Sequence, residues 1–212
     1  MSRCFLLTMF CACVGLSEGW VFAGSNATGG GEMPITQRNE ELILFHFGAN
    51  ADVSAWRVVN DTVMGGVSRS RVEISEDGFA VFSGLVSLEN NGGFASVRGP
   101  LLQQSLGKSE GLAIRVKGDG KKYKCGLRTD NAFDGTFHQA TFQTRKGEWQ
   151  VVKIPFSEFV PTYHGRRLPE DKRMKLEDIR SVSFLIADKQ SGPFRLEIEW
   201  IKAYRAGSVT ER

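Results

Sequence analysis

Cysteine is scarce in this chain, with 4 in 212 residues, and Cys4, Cys11 and Cys13 all lie near the start. Beyond them only Cys125 remains, so a disulfide framework is excluded for the body of the chain. The 3 histidines, His46, His138 and His164, are dispersed, and none pairs with another His or Cys at metal-ligand spacing. No G-x-S-x-G elbow is present, and Ser68 stands in G-V-S-R, without the strand-turn-helix context a nucleophile of that kind needs. Asp52, Asp61, Asp119, Asp130, Asp134 and Asp188 all fall at turn signals, where a carboxylate ordinarily caps backbone N–H groups. No catalytic residue, metal site or cofactor is therefore assigned. Net charge is only +3. Basic clusters at Lys121, Lys122 and Lys124 and from Arg166 to Lys175 are interleaved with acids, which argues against a nucleic-acid partner.

No apolar run approaches the roughly 20 residues of a membrane-spanning helix. The stretch from Cys4 to Leu16 is shorter, follows Arg3, and leads to Val21-Phe22-Ala23. A charged start, a short apolar core and small residues near a cleavage point read as a signal peptide over residues 1–23. Export to the periplasm or outside the cell is the expectation. The Gly-, Ser- and Thr-rich stretch 24–41 reads as a tether, and 206–212 as a tail.

Between tether and tail, short apolar-alternating runs separated by turn residues predict an all-β sandwich. Strands are expected at Leu42 to Phe47, Val67 to Ser75, Phe79 to Leu88, Gly93 to Val97, Leu112 to Lys117, Tyr123 to Arg128, Phe137 to Thr144, Trp149 to Ile154, Ser181 to Ala187 and Arg195 to Tyr204. Short helical turns are expected at Ser157 to Phe159 and around Leu176 to Ile179. In the last strand, strict alternation places Leu196, Ile198, Trp200 and Lys202 on one face, opposite Arg195, Glu197, Glu199 and Ile201. Cys125 shares a face with Tyr123 and Leu127, a core position, and Trp149 and Trp200 read as core aromatics.

The segment W-R-V-V-N-D-T-V-M-G-G-V-S from Trp56 to Ser68 pairs an aromatic with Asn-Asp and Gly-Gly, and N-N-G-G-F-A-S-V-R from Asn90 to Arg98 echoes it. With G-D-G at Gly118 to Gly120, W-Q-V-V-K-I-P-F at Trp149 to Phe156 and F-R-L-E-I-E-W-I-K-A-Y at Phe194 to Tyr204, the chain resembles the complex I intermediate-associated protein 30 family from about Leu42 to Tyr204. The resemblance implies a jelly-roll β-sandwich of the galactose-binding-like type over 42–205. It also implies an assembly factor or scaffold without established enzymatic activity, a protein partner in a membrane complex, and a mitochondrial rather than exported location. Ser183-Phe184 and His164-Gly165-Arg166-Arg167 depart from the family pattern.

Loops at one end of such a sandwich, or an open sheet face, are where recognition belongs. The candidate binding residues are Trp56, Asp61, Asn90, Asn91, Arg98, Arg128 and Arg166, chosen as loop aromatics, amides and forked cations that suit a protein partner, a carbohydrate or another small ligand. Asp61 is further expected to hold its own loop by accepting backbone N–H bonds.

Overall fold

Period-2 alternation with turn residues between runs favours hairpins and antiparallel pairing. A computed structural model describes residues 41–130, 135–169 and 174–205 of the chain. The segments assigned above to the leader and the tail, and nearly all of the tether, lie outside the described residues. The described residues form one compact unit.

Thirteen strands in two antiparallel sheets make up the described region. The first sheet orders β3 (Arg69–Ile74), β4 (Ala80–Val86), β13 (Gly192–Tyr204), β6 (Gly111–Lys117) and β9 (Trp149–Pro155). Strand β1 (Leu42–His46) pairs with the far half of β13, beyond the reach of β4. The second sheet orders β11 (Arg166–Arg167), β10 (Val160–Tyr163), β8 (Phe137–Gln143), β7 (Lys122–Arg128), β12 (Ser181–Ile186), β5 (Ala95–Arg98) and β2 (Arg57–Asn60).

The apolar residues of every second position meet between the layers. Phe82, Leu112, Ile114, Ile154 and Leu196 come from the first sheet, and Tyr123, Cys125, Leu127, Phe142 and Phe184 from the second. Full burial of one such side chain is worth about 1.5–3 kcal/mol, so this shared core is what joins the layers. Phe82 meets Phe194 edge-on at 4.9 Å, and Phe142 meets Phe184 at 6.5 Å.

Three strands escape the sequence reading: β2, β10 and β11. Each is short; β2 and β11 are sheet edges with one-sided pairing, and β10, between β11 and β8, contains Pro161 and is only partly buried, which blurs the alternation. The short helical turns fall at Phe156–Glu158 and Leu176–Asp178.

Strict alternation in β13 is corrected by a bulge. Its register against β6 shifts between Ile198 and Trp200, so one extra residue reverses the parity of everything after it. Ile201 and Ala203 then face the core, while Trp200 lies half-buried on the outside with the Lys202 ammonium 4.4 Å from its ring. Trp149 is also half-buried rather than core, packed 4.7 Å from Phe79 with Arg115 and Lys117 over its ring. Around it the outer face of the first sheet is lined by ion pairs, Arg195 and Lys117 on Glu197 and Arg115 on Glu199. Burial works against the Glu197 charge, but the hydrogen bonds from Lys117 and Arg195 outweigh it and hold its carboxyl below the usual range.

Candidate functional site

Strand β2 ends at Asn60, and the chain enters a 3-10 turn at Asp61–Met64 closed by Gly65 in the left-handed region at φ 88°. Asp61 is fully buried and lies at the junction of two loops. Its Oδ1 accepts the Ser68 backbone N–H at 2.9 Å, and its Oδ2 accepts the Ser68 hydroxyl at 2.5 Å. Oδ2 also accepts the backbone N–H groups of Gly93 at 2.7 Å and Phe94 at 3.3 Å. Ser68 Oγ in turn accepts the Ser87 N–H at 3.0 Å, so the start of the second loop is tied in as well. Asn90 Nδ2 closes the outer side by donating to the Gly65 carbonyl at 3.3 Å.

The glycines follow from this carboxylate. A Cβ on Gly66 would overlap the Asp61 carboxyl carbon, and one on Gly92 would come within 2.5 Å of Oδ2. Burial opposes the Asp61 charge, yet the Ser68 hydroxyl and the Gly93, Ser68 and Phe94 N–H groups prevail, holding its pKa below the ordinary carboxylate value. The two loops present apolar residues outward: Val63 and Met64 are each 60% exposed, and Val67 in the first loop and Leu88 in the second are also exposed.

A second cluster lies on the outer face of the second sheet. Register pairs Arg57 with Arg98, Arg98 with Ser183, and Ser183 with Gly126, and two residues along it pairs Ser181 with Arg128. The Arg98 and Arg128 guanidinium carbons lie 4.8 and 4.5 Å from the centre of the Phe137 ring, so two cations from different strands converge on one aromatic. The floor is small: a Cβ on Gly126 would stand 2.5 Å from Ser183 Oγ, which donates to the Gly126 carbonyl at 3.2 Å. Arg128 is buried and pairs with Asp130 at 2.9 Å.

The family model described as complex I intermediate-associated protein 30 matches residues 45–198, a span that holds both clusters. The chain belongs to that family. Among curated relatives, the Caenorhabditis elegans protein named probable complex I intermediate-associated protein 30, mitochondrial, is 30% identical over 82% of this chain and 57% of its own length. The Mus musculus protein named complex I intermediate-associated protein 30, mitochondrial, is 29% identical over 80% of the chain and 58% of its own length. The chain thus spans a little over half the length of these relatives. Among solved structures, a family 11 carbohydrate-binding module of Clostridium thermocellum in complex with a β-1,3-1,4-mixed-linked tetrasaccharide superposes with a TM-score of 0.59 at 17% identity, over 78% of this chain and 96% of that one. The family 11 module of the cellulase Lic26A-Cel5E from the same organism gives 0.58 at 18%, over 79% and 95%. At such identity these two establish the β-sandwich fold of the complex I intermediate-associated protein 30 domain and nothing about its ligand.

Within this family domain the seven residues singled out from sequence divide into separate places. Asp61 and Asn90 come together at the tied loops, with Asn91 in the same turn as Asn90, and Arg98 and Arg128 meet over Phe137. Trp56 is corrected: it is 7% exposed and packs on Phe45 at 5.1 Å and Phe47 at 5.7 Å, under Gly99, so it is a core aromatic rather than a contact residue. Arg166 is exposed on β11, at the opposite edge of the second sheet from β2 and β5. Ser68 and Phe137 were missed. Ser68 follows the Gly-Gly pair, but a hydroxyl seven residues beyond its acceptor carries no local signal; Phe137 differs from core aromatics only in strand parity.

The histidines are scattered: His138 is buried in β8, His46 is exposed in β1, and His164 lies in the β10–β11 turn against Tyr163. Among the described residues, no group of three His, Cys, Asp or Glu is placed to hold a metal ion. Burial pushes the Cys125 thiol up to about 12. Among the described residues no helix is long and apolar enough to cross a membrane.

Proposed function

We infer that this protein is a non-catalytic β-sandwich that acts as an assembly factor, holding a protein partner of a membrane-embedded respiratory complex, and that it works in the mitochondrion rather than outside the cell. Family membership supports the class of role, and the word mitochondrial in the relatives' names favours that location over the export expected from the leader. The observation that carries the reading is the state of Asp61. The carboxylate of the Trp56 to Ser68 segment is buried and bonded to four donors of its own chain, so it organises loops and has no access to a substrate. A grip made of rigid loops on a packed scaffold is what an assembly factor needs.

The test is to tag the chain in its own cells, fractionate them, and separate solubilised mitochondrial membranes by native electrophoresis. Co-migration with a partly assembled complex I supports the role. Recovery outside the mitochondrion, or migration with no complex, contradicts it.

A second reading, a carbohydrate or small-ligand module, draws on one observation: Arg98 and Arg128 converge on Phe137 above a floor of small residues. Calorimetry against oligosaccharides would support it if Arg98→Ala abolished a measured binding, and would remove it if no sugar bound.

A further inference from the structure

We propose that the loop end tied by Asp61 is a docking surface for an anionic lipid bilayer, with Val63 and Met64 entering the interface. Val63 and Met64 are each 60% exposed, and Val67 in the same loop and Leu88 in the second one are 38% and 44% exposed. Packing accounts for none of these side chains being large and apolar. The loop that carries Val63 and Met64 is nonetheless tied at both ends, by the Asp61 carboxylate on Ser68 and Gly93 and by the Asn90 to Gly65 bond. A stiff tip loses little conformational freedom on entering an interface, which favours insertion over collapse onto the protein's own surface.

Charge supplies the occupant. The turns that share this end of the sandwich join one another in sequence. Asn90 reaches the first loop, the 85–89 stretch borders Ser191 and Gly192, Lys121 Nζ donates to the Ser191 carbonyl at 3.1 Å, and Gly118 accepts the Gly147 N–H. Exposed Lys122, Lys146 and Lys189 lie on these turns. The acids among them are largely engaged within the chain: Asp188 pairs with Lys124, Glu148 with Arg145, and the Asp119 carboxylate accepts from the Lys121 and Arg195 N–H groups and the Tyr123 hydroxyl. Glu89, next to Leu88, opposes this field. At the far end the turns mix both signs, with Glu76, Asp77, Glu177 and Asp178 beside Lys108, Lys175 and Arg180. Exposed apolar side chains on an end that also carries these lysines suit a negatively charged surface with an apolar interior. The proposal does not depend on which protein partner the domain holds.

The test is co-sedimentation of the full chain with vesicles of phosphatidylcholine alone and of phosphatidylcholine mixed with phosphatidylglycerol. Binding should be stronger to the mixed vesicles and fall with added salt. The double variant Val63→Asp, Met64→Asp should bind the mixed vesicles at least about tenfold more weakly, with an unchanged melting temperature, since both side chains face solvent. Lys122→Gln, Lys146→Gln and Lys189→Gln should each lower binding to the mixed vesicles roughly fivefold and leave the neutral ones unaffected. Equal binding to both vesicle types, or tip variants that bind like the parent, would overturn the proposal. So would absence of vesicle binding together with loss of a co-purifying protein in the tip variant, which would assign the tip to a protein partner.

Discussion

Asp61→Asn preserves the shape of the side chain and removes its charge, and the donors around it set the consequence. In the parent, Oδ1 accepts the Ser68 N–H, while Oδ2 accepts the Ser68 hydroxyl and the Gly93 and Phe94 N–H groups. Every group pointing at the carboxylate is a donor, so whichever way an amide is turned, its NH2 faces another donor. With the amide nitrogen at the Oδ1 position, the Ser68 N–H loses its acceptor, a buried loss of about 1–3 kcal/mol. The bonds that remain become neutral rather than charge-assisted and are weakened by roughly half. Together these give about 2–4 kcal/mol, a large part of the roughly 5–15 kcal/mol that holds an ordinary domain folded.

Urea unfolding at neutral pH, followed by circular dichroism, measures this as a lower midpoint at unchanged slope. Acid supplies an independent check. The folded pKa of Asp61 lies below the unfolded value of about 3.9, so its stabilisation is complete above that pH and is lost as pH falls through the folded value. The gap between parent and Asp61→Asn should therefore narrow on acidification. A variant within about 0.5 kcal/mol of the parent, or a gap that does not change in acid, would refute the reasoning.

Glycine substitutions beside this carboxylate should separate into two kinds. Gly66→Ala, whose Cβ overlaps the Asp61 carboxyl, should cost about 1–3 kcal/mol or more, whereas Gly65→Ala meets open space and should lose only about 1 kcal/mol from its left-handed backbone; urea midpoints for the pair test the difference. Trp56→Ala should cost about 3–5 kcal/mol in the same assay, because it empties a contact shared by Phe45, Phe47 and Gly99; a near-neutral result would return Trp56 to the surface. Cys125, with its thiol pushed up to about 12 by burial, should resist alkylation at neutral pH until the domain unfolds, as read by mass mapping of its peptide.

Ten of the strands lie close to where apolar alternation and turn residues put them, because each has a neighbour on both sides or packs one face firmly on the core. Of the three short strands that read as loop, β2 and β11 are sheet edges, and β10, although paired on both sides, spans only Val160–Tyr163 and contains Pro161. The β13 bulge was hidden for a different reason: alternation assumes a fixed parity, and an extra residue between Ile198 and Trp200 reverses it without a local mark in composition. At the tied loops, the turn role of Asp61 could be read from its neighbours, since Asn-Asp and Gly-Gly are turn chemistry. Its partners Ser68, Gly93 and Phe94 could not, as they lie up to 33 residues away and meet it only after the strands pair. The Arg98–Phe137–Arg128 arrangement likewise depends on register across neighbouring strands, which no segment encodes alone.

The most direct test of the whole account is the amount of assembled complex I in cells from which this protein has been depleted, measured by native electrophoresis with an in-gel activity stain. The account predicts loss of the mature complex with accumulation of a smaller intermediate, restored by re-expression of the parent chain. Unchanged complex I after complete depletion would contradict it.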